Sequence, residues 1–230
     1  MTSYLEYAGV RYPFELLENL ETADGPMLDW VSHRLHQTHT FSELPVLERV
    51  KEIHQPKRVV DIGANLGQHS LFFSEAIGAE VTAFEPIPHF AEIAQKNAPK
   101  ATIHTTGLAS EAGERAAMLG SYMENKAGEV VMANSGGVFL TAGSGIAVAA
   151  LDSFNLSPDL IKMDVEGMED QVLGGALETI KAHKPVILAE HRTIEELARC
   201  FDILRPLGYH ISYQYASGDL VTEYTPNRSA

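Results

Sequence analysis

The sequence has little cysteine, few basic residues and no long apolar run. Cys200 is the only cysteine in 230 residues, so no disulfide can form within the chain, and its apolar neighbours at helical spacing predict a buried free thiol. Seventeen basic against thirty-one acidic residues give a formal charge of −14, which argues against nucleic acid or an anionic membrane as the main partner. The apolar runs are too short to cross a bilayer, and no signal peptide is evident at the N-terminus. We therefore expect a cytoplasmic protein without membrane insertion.

The stretch VVDIGANLGQHS, residues 59–70, predicts a strand, a tight turn and the start of a helix. In a doubly wound sheet such a unit receives a nucleotide-like ligand. Glycine is needed at Gly63 and Gly67 because the backbone there must take positive φ or approach the ligand closely. Asp61 would face like charge beside the pyrophosphate of a dinucleotide, but an ammonium and a sulfonium beside S-adenosylmethionine. The charge pattern therefore favours the methyl donor.

Strands and helices alternate from residue 57 to about 210, which predicts an α/β fold with a doubly wound, mostly parallel seven-stranded sheet. The predicted strands are 58–62, 80–84, 102–105, 160–164 and 185–190, with a closing antiparallel pair over 209–215 and 220–224. The predicted helices are 70–77, 89–97, 169–182 and 194–207.

Two regions depart from the alternation. Residues 110–150 are rich in Gly, Ala and Ser, and they predict a β-hairpin insertion. Residues 13–54 predict helices, with Pro45 opening the last of them. We therefore divide the chain into an N-terminal helical cap segment over 1–54 and a ligand-binding domain over 55–230, which together form one compact domain.

Five motifs resemble the FkbM-type methyltransferases, and they follow in order between residues 55 and 192. They are VVDIGANLGQHS (59–70), AFEP (83–86), LDSF (151–154), IKMDVEGMEDQVLGGA (161–176) and PVILAEH (185–191). The resemblance implies a class I, Rossmann-like methyltransferase that uses S-adenosylmethionine, with hydroxyl groups of sugars and secondary metabolites as frequent acceptors. It also implies that Asn65 faces the amino-acid part of the methyl donor.

The cofactor site is predicted from the turn and from the ends of later strands. Glu85 follows the second strand, where this fold places an acid against the ribose hydroxyls, although a solvated acid at a loop start is the alternative. Gly107 and Leu108 are placed beside the adenine by analogy with the fold. Ser70 has a helix cap as its alternative role. The predicted cofactor-binding residues are Asp61, Gly63, Ala64, Asn65, Gly67, His69, Ser70, Glu85, Pro86, Gly107, Leu108 and Asp164.

Ionisable residues end two predicted strands. Lys162, Asp164 and Glu166 occupy every second position of one predicted strand, so their side chains point to the same face of the sheet. Burying these ionisable groups would cost free energy unless they face a cleft. Glu190 and His191 end the next strand, and histidine is the natural proton acceptor when a hydroxyl is methylated at neutral pH. The predicted catalytic residues are Asp164, His191, Glu190, Glu166 and Lys162. Two alternatives stay open: a helix-capping role for Glu166 or Glu169, and a magnesium ion held by Asp164, Glu166 and Glu190.

The sequence thus predicts an S-adenosylmethionine-dependent methyltransferase that acts on an oxygen atom of a small molecule. A nicotinamide-dependent oxidoreductase and a non-catalytic cofactor-binding module are the alternatives; Asp61 and the missing central glycine argue against the first. Residues 13–54 and 110–150 are expected to cover the site and choose the acceptor, with His33, His36, Tyr122 and Asn134 as polar candidates. The acceptor and a homo-oligomeric state are left open.

Overall fold

The structure, a computed structural model, describes residues 2–22, 25–120, 122–124, 130–217 and 219–227. Its N-terminal segment begins with two antiparallel hairpins and continues into helices. Its elements are strands β1 (Thr2–Tyr7), β2 (Val10–Glu15), β3 (Asn19–Thr22) and β4 (Gly25–Leu28), and helices α1 (Trp30–Thr38) and α2 (Leu44–Arg49), the latter continued by a π-helical turn over Val50–His54.

The prediction of helix over residues 13–28 is therefore wrong. Leu5 and Phe14 are buried between more exposed neighbours, which is the period-two pattern of strands with one buried face. The turn between the first two strands carries positive φ at Ala8 and Gly9, as a tight hairpin requires. Helix begins at Trp30, after Asp29, whose carboxylate caps it by accepting from the backbone N–H of Ser32.

The first half of the central sheet follows the predicted alternation closely. Its elements are β5 (Arg58–Ile62), α3 (Gln68–Leu71) with a π-helical continuation over Phe72–Ile77, β6 (Glu80–Phe84), α4 (Pro88–Asn97) and β7 (Thr102–His104).

The predicted β-hairpin insertion is confirmed. It comprises β8 (Gly107–Leu108), β9 (Gly113–Leu119), β10 (Tyr122–Glu124), β11 (Val130–Ala133) and β12 (Val138–Ala149). β12 pairs antiparallel with β9 and parallel with β8, so the insertion forms a small sheet, and it lies beside the carboxyl ends of the central strands.

The second half of the chain completes the sheet. Its elements are β13 (Leu160–Met163), α5 (Glu169–Gly174), α6 (Leu177–His183), β14 (Val186–His191), α7 (Ile194–Leu204), β15 (Tyr209–Ser217) and β16 (Asp219–Pro226). The single helix predicted over 169–182 is broken at Gly175. A Cβ atom there would lie 2.1 Å from the carbonyl oxygen of Ala109, so the helix can pass the insertion only at a glycine.

The seven-stranded sheet has the order β15-β16-β14-β13-β5-β6-β7, and all of its strands run in one direction except β16, which is antiparallel to both of its neighbours, β14 and β15. The N-terminal segment packs with α3 and α4 on one face, and α5, α6 and α7 pack on the other. The strand order reverses between β5 and β13, and ligands of such sheets bind in the crevice outside the strand ends at that point. Within the described residues, no helix is both long enough and apolar enough to cross a membrane.

Candidate active site

Two adjoining clefts open at the carboxyl ends of the strands beside this reversal. The volume that the centre of a water molecule can occupy is about 60 Å³ in the first cleft and about 350 Å³ in the second. Both are lined by Gly63, Asn65, Gly136, Asp164 and Glu166. Molecules bound in the two clefts would therefore meet at these five residues.

The turn after β5 touches the loop after β13 backbone to backbone. Gly63 has φ +79°, and a Cβ atom on it would lie 1.9 Å from the carbonyl oxygen of Asp164. Gly67 has φ +82° and lies against α4, where a Cβ atom would come within 2.9 Å of the Cα atom of Ala94. Both glycines are therefore required by the conformation of the chain, while only Gly63 also lines the clefts.

Glu85 lies in the first cleft and ties two loops together. Its carboxylate oxygens accept hydrogen bonds from the backbone N–H groups of Asn65 (2.8 Å) and Ile87 (2.9 Å). Burial raises the pKa of Glu85 to about 7, and these two hydrogen bonds only partly offset the effect. Each oxygen keeps a second lone pair, so the carboxylate can also accept from two hydroxyl groups of a ligand.

The remaining walls of the first cleft are largely apolar. They come from the central sheet, α4 and the insertion, and they include Ile62, Phe90, Val138 and Leu140. A planar ring would be held between these side chains by apolar contact. Phe90 and Leu140 were not predicted, because nothing in the sequence distinguishes them from other core residues. Of the predicted cofactor residues, the first cleft is lined by Gly63, Asn65, Glu85, Pro86, Gly107, Leu108 and Asp164.

Asp61 and Ser70 lie behind the clefts and line neither of them. Asp61 is completely buried, and its Oδ2 accepts a 2.6 Å hydrogen bond from the Ser70 hydroxyl. Its Oδ1 has no hydrogen-bond partner within the described residues, and burial raises the pKa of the carboxyl. The prediction that Ser70 is a ligand contact or a helix cap is wrong, since Gly67 occupies the cap position of α3 and Ser70 orients Asp61.

Lys162 is buried on the floor of the second cleft among carboxylates. Its Nζ lies 3.6 Å from Oδ2 of Asp164 and 3.9 Å from Oδ1 of Asp61. Burial alone would lower the pKa of Lys162, but the charges of Asp164, Asp61 and the two nearby glutamates outweigh it and raise the pKa. The ammonium group therefore stays charged and neutralises the cluster.

This ammonium explains why the magnesium alternative is not supported. Across the described residues, no group of three or more His, Cys, Asp or Glu side chains is arranged to hold a metal ion. The cation beside Asp164 is instead a lysine side chain, which supplies positive charge without the octahedral oxygen ligands that magnesium requires.

Glu43 and Glu190 both line the second cleft. Glu43 comes from the loop before α2 and has φ +53°. Oε2 of Glu43 lies 3.8 Å from Nε2 of His69, which also approaches the carbonyl oxygen of Ser42 at 3.3 Å. His69 was predicted to bind the cofactor, but it lines the second cleft, as do Ala64 and Lys162. Glu43 was missed because no motif surrounds it.

His191 does not lie in either cleft, so its predicted place at the site is wrong. Successive residues of a strand point to opposite faces, and Glu190 takes the cleft side of β14. His191 is 1% exposed and hydrogen-bonds through Nε2 to the Tyr224 hydroxyl at 2.9 Å. Burial lowers its pKa to about 4, so the imidazole is neutral, and Glu190 does not orient it.

Glu166 and Glu169, in and just after the loop that follows β13, have different roles. Glu166 lines both clefts, and its Oε2 lies 3.6 Å from a guanidinium nitrogen of Arg192. Glu169 instead accepts hydrogen bonds from the backbone N–H groups of Val165 and Gly167. Glu169 therefore holds the loop at the start of α5, and Glu166 is left to face the clefts.

The N-terminal segment and the insertion meet over the second cleft. The buried carboxylate of Asp29 caps α1 and also accepts a 2.8 Å hydrogen bond from the backbone N–H of Ser135. Helix α1 turns Trp30 and Arg34 toward the cleft. Of the polar residues predicted for this cover, Asn134 lines the second cleft, His33 and His36 line a different groove, and the side chain of Tyr122 lies outside the described residues.

Comparison with known proteins identifies the family. The model of the methyltransferase FkbM domain matches residues 61–211. The methyltransferase FkbM of Methylobacillus flagellatus is similar in structure, with a TM-score of 0.53 and 22% identity over 74% of this chain, and the match spans 44% of that longer chain. The magnesium protoporphyrin IX methyltransferase of Synechocystis, solved with bound S-adenosylmethionine, has a TM-score of 0.53 and 13% identity over 87% of this chain and 86% of its own.

A third structure, the ribosomal protein L11 methylase of Lactobacillus delbrueckii, has a TM-score of 0.51 and 13% identity over 84% of this chain and 82% of its own. No curated protein matches the sequence. The three structures share one fold with this chain, that of the class I S-adenosylmethionine-dependent methyltransferases.

Proposed function

Because this chain belongs to the FkbM methyltransferase family, we propose that it transfers the methyl group of S-adenosylmethionine to a hydroxyl group of a small molecule. The observation that carries the proposal is the pair of clefts meeting at Asp164. One has a buried carboxylate between apolar walls, and the other has a ring of ionisable side chains. The donor and the acceptor of a methyl group need two such compartments with a common boundary.

The residues of the first cleft fit S-adenosylmethionine group by group. The carboxylate of Glu85 would accept from the two ribose hydroxyls, and Gly107 and Leu108 with the apolar walls would enclose the adenine. Asn65 and Gly63 lie where the cofactor's amino-acid part would reach the boundary with the second cleft. Asp61, fully buried behind the turn, would act on the sulfonium and ammonium through its charge rather than by contact.

The residues of the second cleft favour an oxygen acceptor. The carboxyl groups of Asp164, Glu166 and Glu190 line this cleft, and a carboxyl group in its ionised form accepts the hydrogen bond of a hydroxyl and then its proton. Lys162 offsets part of their charge and holds Asp164 in place. The cleft volume of about 350 Å³ suits a small molecule.

Neither alternative from the sequence has support of its own. A nicotinamide-dependent oxidoreductase does not agree with the family, and a non-catalytic binding module would have no use for buried charges in a second cleft. Burying charge is expensive unless the site uses it.

The test has two stages. Calorimetry should detect S-adenosylmethionine and S-adenosylhomocysteine binding to the protein and no NAD binding. A panel of sugars and other hydroxylated small molecules, incubated with S-adenosylmethionine labelled in its methyl group, should then yield a labelled ether. Binding of NAD instead would overturn the proposal, and labelling of amines alone would replace oxygen by nitrogen as the acceptor atom.

A further inference from the structure

The guanidinium group of Arg192 contacts the loop after β13 from outside the two clefts. Arg192 directly follows β14 and the last of the five motifs, and it lines neither cleft. Its Nη1 atom lies 3.6 Å from Oε2 of Glu166, which lines both clefts. A Cβ atom on Gly167 would lie 2.0 Å from Nη2 of Arg192. One cation therefore touches both the backbone of the loop and the carboxylate that this loop presents to the clefts.

Arg192 is held in place by the first turn of α7. Oε1 of Glu196 accepts a 2.8 Å hydrogen bond from Nη2 of Arg192, and Oε2 accepts one of 2.8 Å from the backbone N–H of Arg192. Glu196 is buried, and its own N–H donates to the hydroxyl of Thr193, which caps α7. The planar guanidinium can meet two carboxylates at once, as the compact ammonium of a lysine cannot. Its position is thus set by α7 and the end of β14 rather than by Glu166.

The conformation of the loop requires support of this kind. Glu166 has φ +56° and Gly167 has φ +96°, both in the left-handed region. Such a conformation is strained for glutamate, and it persists only where the surrounding structure holds it. The hydrogen bonds from Val165 and Gly167 to Glu169 fix the backbone on either side of Glu166. Arg192 adds a contact to the Glu166 carboxylate itself.

Resting on the proposed methyltransferase function, we propose that Arg192 is a positioning residue that holds the carboxylate of Glu166 at the boundary of the two clefts. The methyl group has to pass from donor to acceptor at this boundary. A carboxylate fixed there accepts the hydrogen bond of the acceptor hydroxyl and so keeps its oxygen in line with the S–C bond. Because Arg192 lines neither cleft, it acts only through Glu166.

The first test is the rate of methyl transfer by Arg192→Gln. The acceptor is the compound of the hydroxylated panel that yields the labelled ether with the unsubstituted protein. The kcat of the variant should fall about tenfold, because an acceptor oxygen that is less well oriented reacts more slowly. The Kd for S-adenosylhomocysteine should stay within about twofold, since the donor cleft is not altered. Because kcat is expressed per S-adenosylhomocysteine site counted by calorimetry, a loss of folded protein does not imitate the effect.

A double-mutant cycle shows whether Arg192 acts through Glu166. Glu166→Gln and the double variant with Arg192→Gln are measured in the same assay. The double variant should have the kcat of Glu166→Gln alone, whereas independent effects would multiply. The control is Arg199→Gln, which breaks the ion pair of α7 with Asp170 at 3.2 Å. The side chains of Arg199 and Arg192 are 49% and 42% exposed, so the two substitutions are comparable, and the control should keep the kcat of the unsubstituted protein.

The second test needs no acceptor. In the ligand-free protein, Arg192→Gln should speed hydrogen exchange of the backbone amides of residues 165–168, because the loop loses one of its two supports. Exchange in β13 and β5 should stay as it was, and Arg199→Gln should leave the loop unchanged. Unaltered exchange of residues 165–168 in Arg192→Gln would refute the positioning role.

The outcomes separate the two proposals. If the unsubstituted protein binds neither S-adenosylmethionine nor S-adenosylhomocysteine, the proposed function fails, and the role of Arg192 fails with it. If methyl transfer is observed but Arg192→Gln keeps its kcat, or the two substitutions multiply, Arg192 is not a positioning residue while the function stands. A thermal melt establishes that each variant is folded. If Arg192→Gln unfolds, Glu196→Gln replaces it, since it removes the carboxylate that anchors the guanidinium; it should lower kcat in the same way, and an unchanged kcat would overturn the proposal.

Discussion

A buried ion pair should account for much of the attachment of the N-terminal segment to the sheet. Glu223 on β16 is 1% exposed and accepts from Arg49 at 3.0 and 3.1 Å, from Ser212 at 2.7 Å and from His54 at 3.0 Å. Burial by itself would raise its pKa, but these hydrogen bonds and charges lower it to about 2, against an ordinary value of 4.5. That difference corresponds to about 3 kcal/mol of the free energy of unfolding at neutral pH.

The perturbation is Glu223→Gln, measured by urea unfolding at pH 7 and pH 3. Because the pKa is depressed in the folded state, the stabilisation is complete above the unfolded pKa and is lost as pH falls from about 4.5 toward 2. The variant should therefore be less stable by about 3 kcal/mol at pH 7 and by less than half of that at pH 3. Glu178→Gln breaks an exposed pair with Lys181 and should cost under about 0.5 kcal/mol. A loss below about 1 kcal/mol, or one equal at both pH values, would refute the reasoning.

Three further outcomes are expected. Glu85→Ala should weaken S-adenosylmethionine binding tenfold or more in calorimetry, because it removes about 1.5–3 kcal/mol of hydrogen bonding to a charged acceptor. The control variant Glu92→Ala, on the exposed surface of α4, should bind S-adenosylmethionine as the unsubstituted protein does. Equal affinities of the two variants would contradict the ribose role of Glu85. Asp164→Asn should change the midpoint of thermal unfolding by no more than a few degrees, while the rate of methyl transfer falls at least tenfold. Normal activity per folded molecule would instead show that Asp164 is a structural residue. In hydrogen-exchange measurements, S-adenosylhomocysteine alone should slow the exchange of the backbone amides of residues 134–140. The amides of α1 should be protected only after an acceptor is added. If exchange changes in neither segment, the acceptor binds elsewhere.

The central sheet could be predicted because its signals are local. β6 has the predicted bounds, and β5 ends at Ile62 as expected, since buried parallel strands read as short β-branched runs between charged or glycine-rich breaks. The turn glycines were predictable for the same reason, because a strand, a tight turn and a helix require positive φ at fixed places.

What could not be predicted depends on contacts distant in sequence. Glu43 becomes a site residue only because α2 is docked onto the sheet, and its own neighbours carry no motif. The predicted place of His191 is wrong because side chains alternate along a strand. Alternation shows that His191 and Glu190 point to opposite faces of the sheet, but it does not show which of the two faces the cleft. The prediction of helix over residues 13–28 fails because short apolar runs fit either period.

The ion pair between Arg49 and Glu223 also bears on the order in which the molecule assembles. It joins positions 174 residues apart, and closing so long a loop is unfavourable until most of the intervening chain is structured. We therefore expect α2 to dock only after β16 has added to the sheet beside β14. The strands around the first cleft are joined by shorter loops, with 101 residues between the paired positions of β5 and β13, and they can form earlier. The folding protein therefore passes through a stage with a donor compartment and an unfinished acceptor wall. Slow docking of α2 would then set the rate at which newly folded molecules become active.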